Sequence, residues 1–93
     1  MNDTNTEITA EAERTIRACV AEVTGIELET IQPDVDFESL GIDSAGAVSL
    51  VMEVEERLAL KTELPPEVLF EKRTVHDLAQ YIGGLLAAER AGV

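Results

Sequence analysis

Apolar residues recur at three- and four-residue steps in three stretches of the chain, and helix punctuation stands at their ends. In the first stretch, Ile8, Ala12, Ile16, Cys19, Val20 and Val23 share one side of a 3.6-residue spiral. Thr9 offers an N-cap oxygen and Gly25 a stop, so helix one is expected over about residues 9–24. In the second, Ala47, Val48, Leu50, Val51, Val54 and Leu58 make a wide apolar face, with Glu53, Glu55, Glu56 and Arg57 largely opposite. Helix two is expected from about residue 44 to 59. The last stretch opens at Thr74-Val75-His76-Asp77, a capping-box variant with Asp77 in the usual Glu position, and buries Val75, Leu78, Ala79, Ile82, Leu85 and Leu86. Gly83-Gly84 weakens that helix by about 1 kcal/mol per residue relative to alanine.

The intervals between these stretches are not plain linkers. Pro65-Pro66 bars a helix interior but suits a helix start, so a short helix from Pro66 to Phe70 is expected to carry Val68, Leu69 and Phe70 into the core. Gly25 to Asp43 holds Ile26, Leu28, Ile31, Val35, Phe37, Leu40 and Ile42, too many apolar residues for a solvated connection. It reads as a long loop packed on the helices. The expected fold is all-α: a four-helix bundle of three main helices plus one short one, with a long structured loop between helices one and two. The folded unit is expected over residues 9–87, with a flexible segment 1–8 and a frayed tail 88–93.

Composition narrows the function classes. Ninety-three residues suit one domain, and aromatics at 3% with no Trp leave the core to Ile, Leu, Val and Ala. The single Cys19 lies on the apolar stripe of helix one and reads as a small buried hydrophobe, since it cannot form an internal disulfide or a cysteine-based metal site alone. With 19 acids against 7 bases the net charge is -12, which excludes a direct nucleic-acid binder and disfavours an anionic membrane surface. No run of about 18 apolar residues and no secretory h-region at Met1–Glu7 is present, so a cytoplasmic location is expected. From Ala18 to Glu56 there is no Lys or Arg but ten acids: Glu22, Glu27, Glu29, Asp34, Asp36, Glu38, Asp43, Glu53, Glu55 and Glu56. They read either as a solvated face or as a field that steers basic partner surfaces.

The sharpest local signal is Gly41-Ile42-Asp43-Ser44, where the long loop meets helix two. Capping of the first helical turn accounts for an Asp or Ser there without any reaction. The functional reading is that Ser44 carries a phosphate-linked group, which would sit against free amides and the positive end of the helix dipole. Ser39 has no helix start beside it and Ser49 lies mid-helix, so Ser44 is the better placed. Other chemistry fits poorly. Asp34-x-Asp36-x-Glu38 is a poor calcium loop, with Ser39 where Gly is needed and Ala45 where the closing Glu belongs. Ser44 and His76 lack the Gly-x-Ser-x-Gly elbow of a hydrolase, leaving His76 a surface residue, and Tyr81 is expected to pack at an edge with its hydroxyl wet.

The stretch Phe37–Leu58, with Leu40-Gly41-Ile42-Asp43-Ser44 at its head, resembles the acyl and peptidyl carrier proteins. The later block Leu64-Pro65-Pro66-Glu67-Val68-Leu69-Phe70, followed by Arg73 to Ile82, is similar to their short third helix and final helix, so the resemblance covers about residues 10–86. It implies that a phosphopantetheinyl transferase moves phosphopantetheine from coenzyme A onto Ser44, flanked by Asp43 of the motif. The thiol of that arm would then hold an acyl or aminoacyl group as a thioester. The chain would be a discrete, monomeric, non-catalytic carrier, without metal. It would serve a loading enzyme and a downstream synthase or transferase, and tethering would raise the effective concentration of cargo. The third-helix region points toward polyketide or nonribosomal peptide biosynthesis over fatty-acid synthesis. An unmodified acidic adaptor is the alternative. Family members usually carry Leu, Met or Ile directly after the serine, whereas this chain has Ala45-Gly46. Partner docking is therefore expected on Ile42, Val48 and Met52, with Glu53 and Glu56 supplying charge.

Overall fold

The computed structural model describes residues 3–92. Four α-helices follow in order: α1 (Asp3–Thr24), α2 (Ser44–Arg57), α3 (Val68–Glu71) and α4 (Val75–Ala91), with short 3-10 turns at Leu28–Thr30 and Glu38–Leu40 between α1 and α2. Helix α1 packs chiefly along α4 and then against α2. The core is aliphatic, as the composition requires: Ile16, Val20, Leu50, Val54, Leu78 and Ile82 are fully buried, and so is Cys19.

Helix boundaries follow local chemistry. Gly25 ends α1 in a left-handed conformation (φ 77°), its N–H bonded to the Ala21 carbonyl at 2.8 Å. Two left-handed-type bonds close α2: the Leu60 N–H reaches the Glu55 carbonyl and the Ala59 N–H the Glu56 carbonyl, with Ala59 at φ 52°. That closure stops α2 at Arg57, two residues before the expected end. Thr74 caps α4 by accepting from the Asp77 N–H at 3.0 Å. One half of the expected capping box is thus formed.

The loop between α1 and α2 is stitched to the α3–α4 junction. The Phe37 N–H donates to the Arg73 carbonyl (2.8 Å), the His76 N–H donates to the Pro33 carbonyl (2.9 Å), and Asp36 faces Thr74 in an isolated antiparallel bridge. Ile31, Phe37 and Ile42 point into the core, whereas Leu28 is exposed.

Four expectations need correction. Helix one starts at Asp3, well before Thr9, because Ile8 is buried and Thr9 lies directly against Gly83 of α4; a Cβ at Gly83 would stand 2.6 Å from the Thr9 Oγ1. Residues 3–8 are therefore helical. Helix α4 continues to Ala91, so residues 88–91 are helical where a frayed tail was expected: Arg90 pairs with Glu11 of α1 at 3.3 Å, and Glu89 accepts bonds from the segment after α2. What was expected of Met1, Asn2 and Val93 lies outside the described residues. The Gly83-Gly84 pair is not simply a weakness, since Gly83 permits the close approach of α1, while Gly84 has open space around it. Finally, Phe70 stays exposed, because a four-residue helix buries one face only and that face is taken by Val68 and Leu69.

Candidate functional site

The site begins where the loop turns. Gly41 adopts a left-handed conformation (φ 89°) that ends the Glu38–Leu40 turn, and the Ile42 N–H then returns to the Phe37 carbonyl at 3.2 Å. This places Asp43 in extended backbone at the head of α2, where its Oδ1 accepts from the Gly46 N–H at 2.9 Å. Asp43 is the N-cap. Ser44 is the first helical residue; it is exposed, and among the described residues no hydrogen bond engages its hydroxyl. The two roles that the sequence left open are divided: Asp43 caps the helix and Ser44 is left with an accessible, unused hydroxyl.

Electrostatics at that position suit an oxyanion. The Ala47 N–H takes the Asp43 carbonyl, leaving the Ser44 and Ala45 amides without a protein partner among the described residues. Those amides stand at the positive end of a 14-residue helix. A phosphodiester on the Ser44 oxygen fits this environment, with space beside it because Ala45 is small and exposed. Ser39 and Ser49 are also exposed, but one lies in the Glu38–Leu40 turn and the other in the middle of α2. Ser44 alone of the three combines exposure with a helix start.

Below the turn lies a cavity of about 90 Å³ bounded by Phe37, Ile42, Ala47, Leu69 and Phe70. Ile42 is only 7% exposed, so its expected place on a docking surface is withdrawn: its side chain belongs to the core and the wall of this cavity. Val48 and Met52 do face outward, at 43% and 61% exposure. Met52, Glu53 and Glu56 share a shallow groove on α2 with Ser49 and Leu60.

The acidic interval is less uniform in three dimensions than in sequence. Arg57, just beyond it, folds back to pair with Glu22 and with Glu53, the latter at 3.2 Å. Asp43 is committed to the cap, and Glu55 accepts from the Leu64 N–H at 2.5 Å. Glu27, Glu29, Asp34, Asp36, Glu38 and Glu56 enter no ion pair among the described residues. Arg73 lines the same cavity as Asp36 and Glu38, a cation whose proximity to the turn the sequence order concealed. Neither Arg57 nor Arg73 was legible as part of this neighbourhood, because each reaches it through tertiary packing. Cys19 is fully buried, and burial pushes its thiol up to about 11; the Arg57 charge opposes the rise, while Glu53 and Glu22 add to it. No cluster of three metal-ligating side chains occurs among the described residues.

Comparison with known proteins converges on this architecture. Residues 14–82 match the family model described as "Phosphopantetheine attachment site". The chain is 36% identical over 73 residues to the non-reducing polyketide synthase pkdA of Emericella nidulans, covering 78% of this chain but only 3% of that enzyme. It is 32% identical over 74 residues to an acyl carrier protein of Thermosynechococcus vestitus, covering 78% of this chain and 89% of the relative. A free-standing peptidyl carrier protein from an uncharacterized Acinetobacter baumannii secondary metabolic pathway superposes with a TM-score of 0.78 at 37% identity, over 84% of this chain and 95% of that one. The match spans α2 and α3, the second half of α1 and the first half of α4, and it includes the turn that presents Ser44. On these grounds the chain belongs to the phosphopantetheine-attachment family of carrier proteins.

Proposed function

We propose that this chain is an acyl or aminoacyl carrier of polyketide or nonribosomal peptide biosynthesis, with Ser44 as the residue that receives phosphopantetheine. One observation carries the assignment of the residue: the Ser44 hydroxyl is exposed at the first position of α2 and unused, because Asp43 has taken the capping bond. A transferase would join the phosphopantetheine of coenzyme A to the Ser44 oxygen, which loses its proton, by breaking the coenzyme's pyrophosphate linkage and releasing adenosine 3′,5′-bisphosphate. When bound, that group supplies a terminal thiol for thioester formation. This chain's own residues present the attachment point and leave bond-making to partner enzymes.

The partner face follows from the same geometry. Val48 and Met52 offer apolar contact one and two turns beyond Ser44, and Glu56 remains free to meet basic residues. Glu53 contributes less, because Arg57 partly neutralises it. Loading and downstream enzymes approaching this face would do so in a salt-dependent manner. The polyketide synthase relatives and the peptidyl carrier from a secondary metabolic pathway support the natural-product setting.

The test is intact-mass spectrometry after incubation with coenzyme A and a broad-specificity phosphopantetheinyl transferase. One phosphopantetheine should add to the chain and to Ser39→Ala and Ser49→Ala, and none to Ser44→Ala. No gain on the unaltered chain, or a gain that persists in Ser44→Ala, overturns the assignment. A chain that binds its partner but is never modified would establish the acidic-adaptor reading instead.

A further inference from the structure

The segment joining α2 to α3 contains no helix, yet two carboxylates from different helices hold it. Glu89, in the last turn of α4, accepts from the Lys61 N–H at 3.0 Å, from the Thr62 N–H at 2.9 Å and from the Thr62 hydroxyl at 2.7 Å. Glu55, on α2, accepts from the Leu64 N–H at 2.5 Å. Neither carboxylate forms an ion pair among the described residues. Both accept from main-chain amides of one four-residue stretch, Glu89 also from the Thr62 hydroxyl, and charged acceptors make the stronger class of hydrogen bond.

What lies beyond that stretch gives the arrangement its consequence. Helix α3 is four residues long, far below the length at which a helix stands by itself. Its internal bonds are all local: the Val68, Leu69 and Phe70 N–H groups reach the carbonyls of Pro65, Pro66 and Glu67. It is held to the bundle by burial of Leu64, Val68 and Leu69. Leu69 and Phe70 line the same cavity as Ile42 and Ala47, which flank the start of α2. Displacing α3 would open that cavity next to Ser44.

We propose that Glu55 and Glu89 form a two-point latch on the α2–α3 segment, so that the last turn of α4 governs how readily α3 lifts from the cavity beside Ser44. Glu89 is a positioning residue, acting through Lys61 and Thr62 on a wall it does not touch. This inference concerns the motion of α3 and stands whether or not Ser44 is modified.

Native-state amide hydrogen exchange on the full chain, followed residue by residue by NMR, tests it. The variants are Glu89→Ala, the milder Glu89→Gln, and Glu63→Ala as a control in the same segment whose carboxylate holds no main-chain amide. Loss of the latch should speed exchange at Lys61, Thr62, Val68, Leu69, Phe70 and Lys72 by about tenfold or more, while the interior amides of α1 and α4 change less than about threefold. Glu89→Gln, which retains one acceptor, should show the same pattern at smaller amplitude, and serves if Glu89→Ala does not fold. Glu63→Ala should leave α3 unchanged. Equal acceleration throughout the bundle would make Glu89 a contributor to global stability only, and would overturn the proposal. Acceleration confined to Lys61 and Thr62 would equally overturn it, because the segment would then be uncoupled from α3.

Discussion

Replacing Gly83 by alanine places a methyl group against Thr9, where α4 meets α1. The added carbon would stand 2.6 Å from the Thr9 Oγ1, 3.1 Å from the Thr9 Cα and 3.3 Å from the Thr9 Cβ. A hydroxyl can rotate away, but the Cα cannot, so the backbone of α1 must give by a few tenths of an ångström. Gly84, the next residue of the same helix, has nothing within 4 Å of an added Cβ. The two positions thus share a propensity gain and differ in packing. Alanine at an open helical position stabilises by about 0.5–1 kcal/mol relative to glycine. Overpacking typically costs about 1–3 kcal/mol. Gly84→Ala should therefore stabilise by about 0.5–1 kcal/mol, whereas Gly83→Ala should be destabilising by up to about 2 kcal/mol once the propensity gain is subtracted from the clash. Urea denaturation followed by helical circular dichroism reads both, provided the slopes of the transitions match. Adding Thr9→Ala to Gly83→Ala should recover part of the loss, since it removes the 2.6 Å contact and leaves the 3.1 Å one. If Gly83→Ala stabilises as much as Gly84→Ala, the close approach of α1 and α4 is not limiting and the reasoning fails.

Three other outcomes follow from single residues. Asp43→Ala should lose about 1 kcal/mol by removing the cap on the Gly46 N–H, while Asp43→Asn, which keeps an acceptor, should lose little; equal losses in a denaturant titration would mean that charge, not the capping bond, dominates. Ala59→Gly should stabilise by about 1 kcal/mol, because Ala59 holds a left-handed conformation at the end of α2 that glycine adopts freely; no change in denaturation midpoint would contradict the assigned strain. The Cys19 thiol, raised from an ordinary 9.0 to about 11 by burial, stays protonated in the folded chain while the unfolded thiol ionises. Its contribution is then complete below about pH 9 and declines as pH rises toward 11, by an amount on the order of 2 kcal/mol. Comparing denaturation midpoints of the unaltered chain and Cys19→Ala between pH 8 and 11 should isolate that decline, and parallel curves would refute it.

The helices and the attachment turn could be read from the chain because their determinants are local. Periodic apolar positions, Gly25 and Gly41, the Asp43-Ser44 junction and the Thr74 cap act through neighbours within a few residues, and the structure uses each of them. The family resemblance rested on those same local blocks. What needed the fold were facts set by distant parts of the chain. Thr9 near the start of α1 meets Gly83, and the last turn of α4 meets Glu11, Lys61 and Thr62, contacts that no propensity at either end could reveal. The division of labour between Asp43 and Ser44 required knowing which oxygen turns to the Gly46 amide. Burial of Ile42 and exposure of Phe70 depended on which faces the loop and a four-residue helix present to the core. The acidic interval is set by sequence as a charge total, but which of its carboxylates stay unpaired is decided by tertiary structure. Arg57 reaches back across 35 residues to Glu22, and Glu55 turns to a main-chain amide, so neighbours in sequence differ in which charges are free to meet a partner.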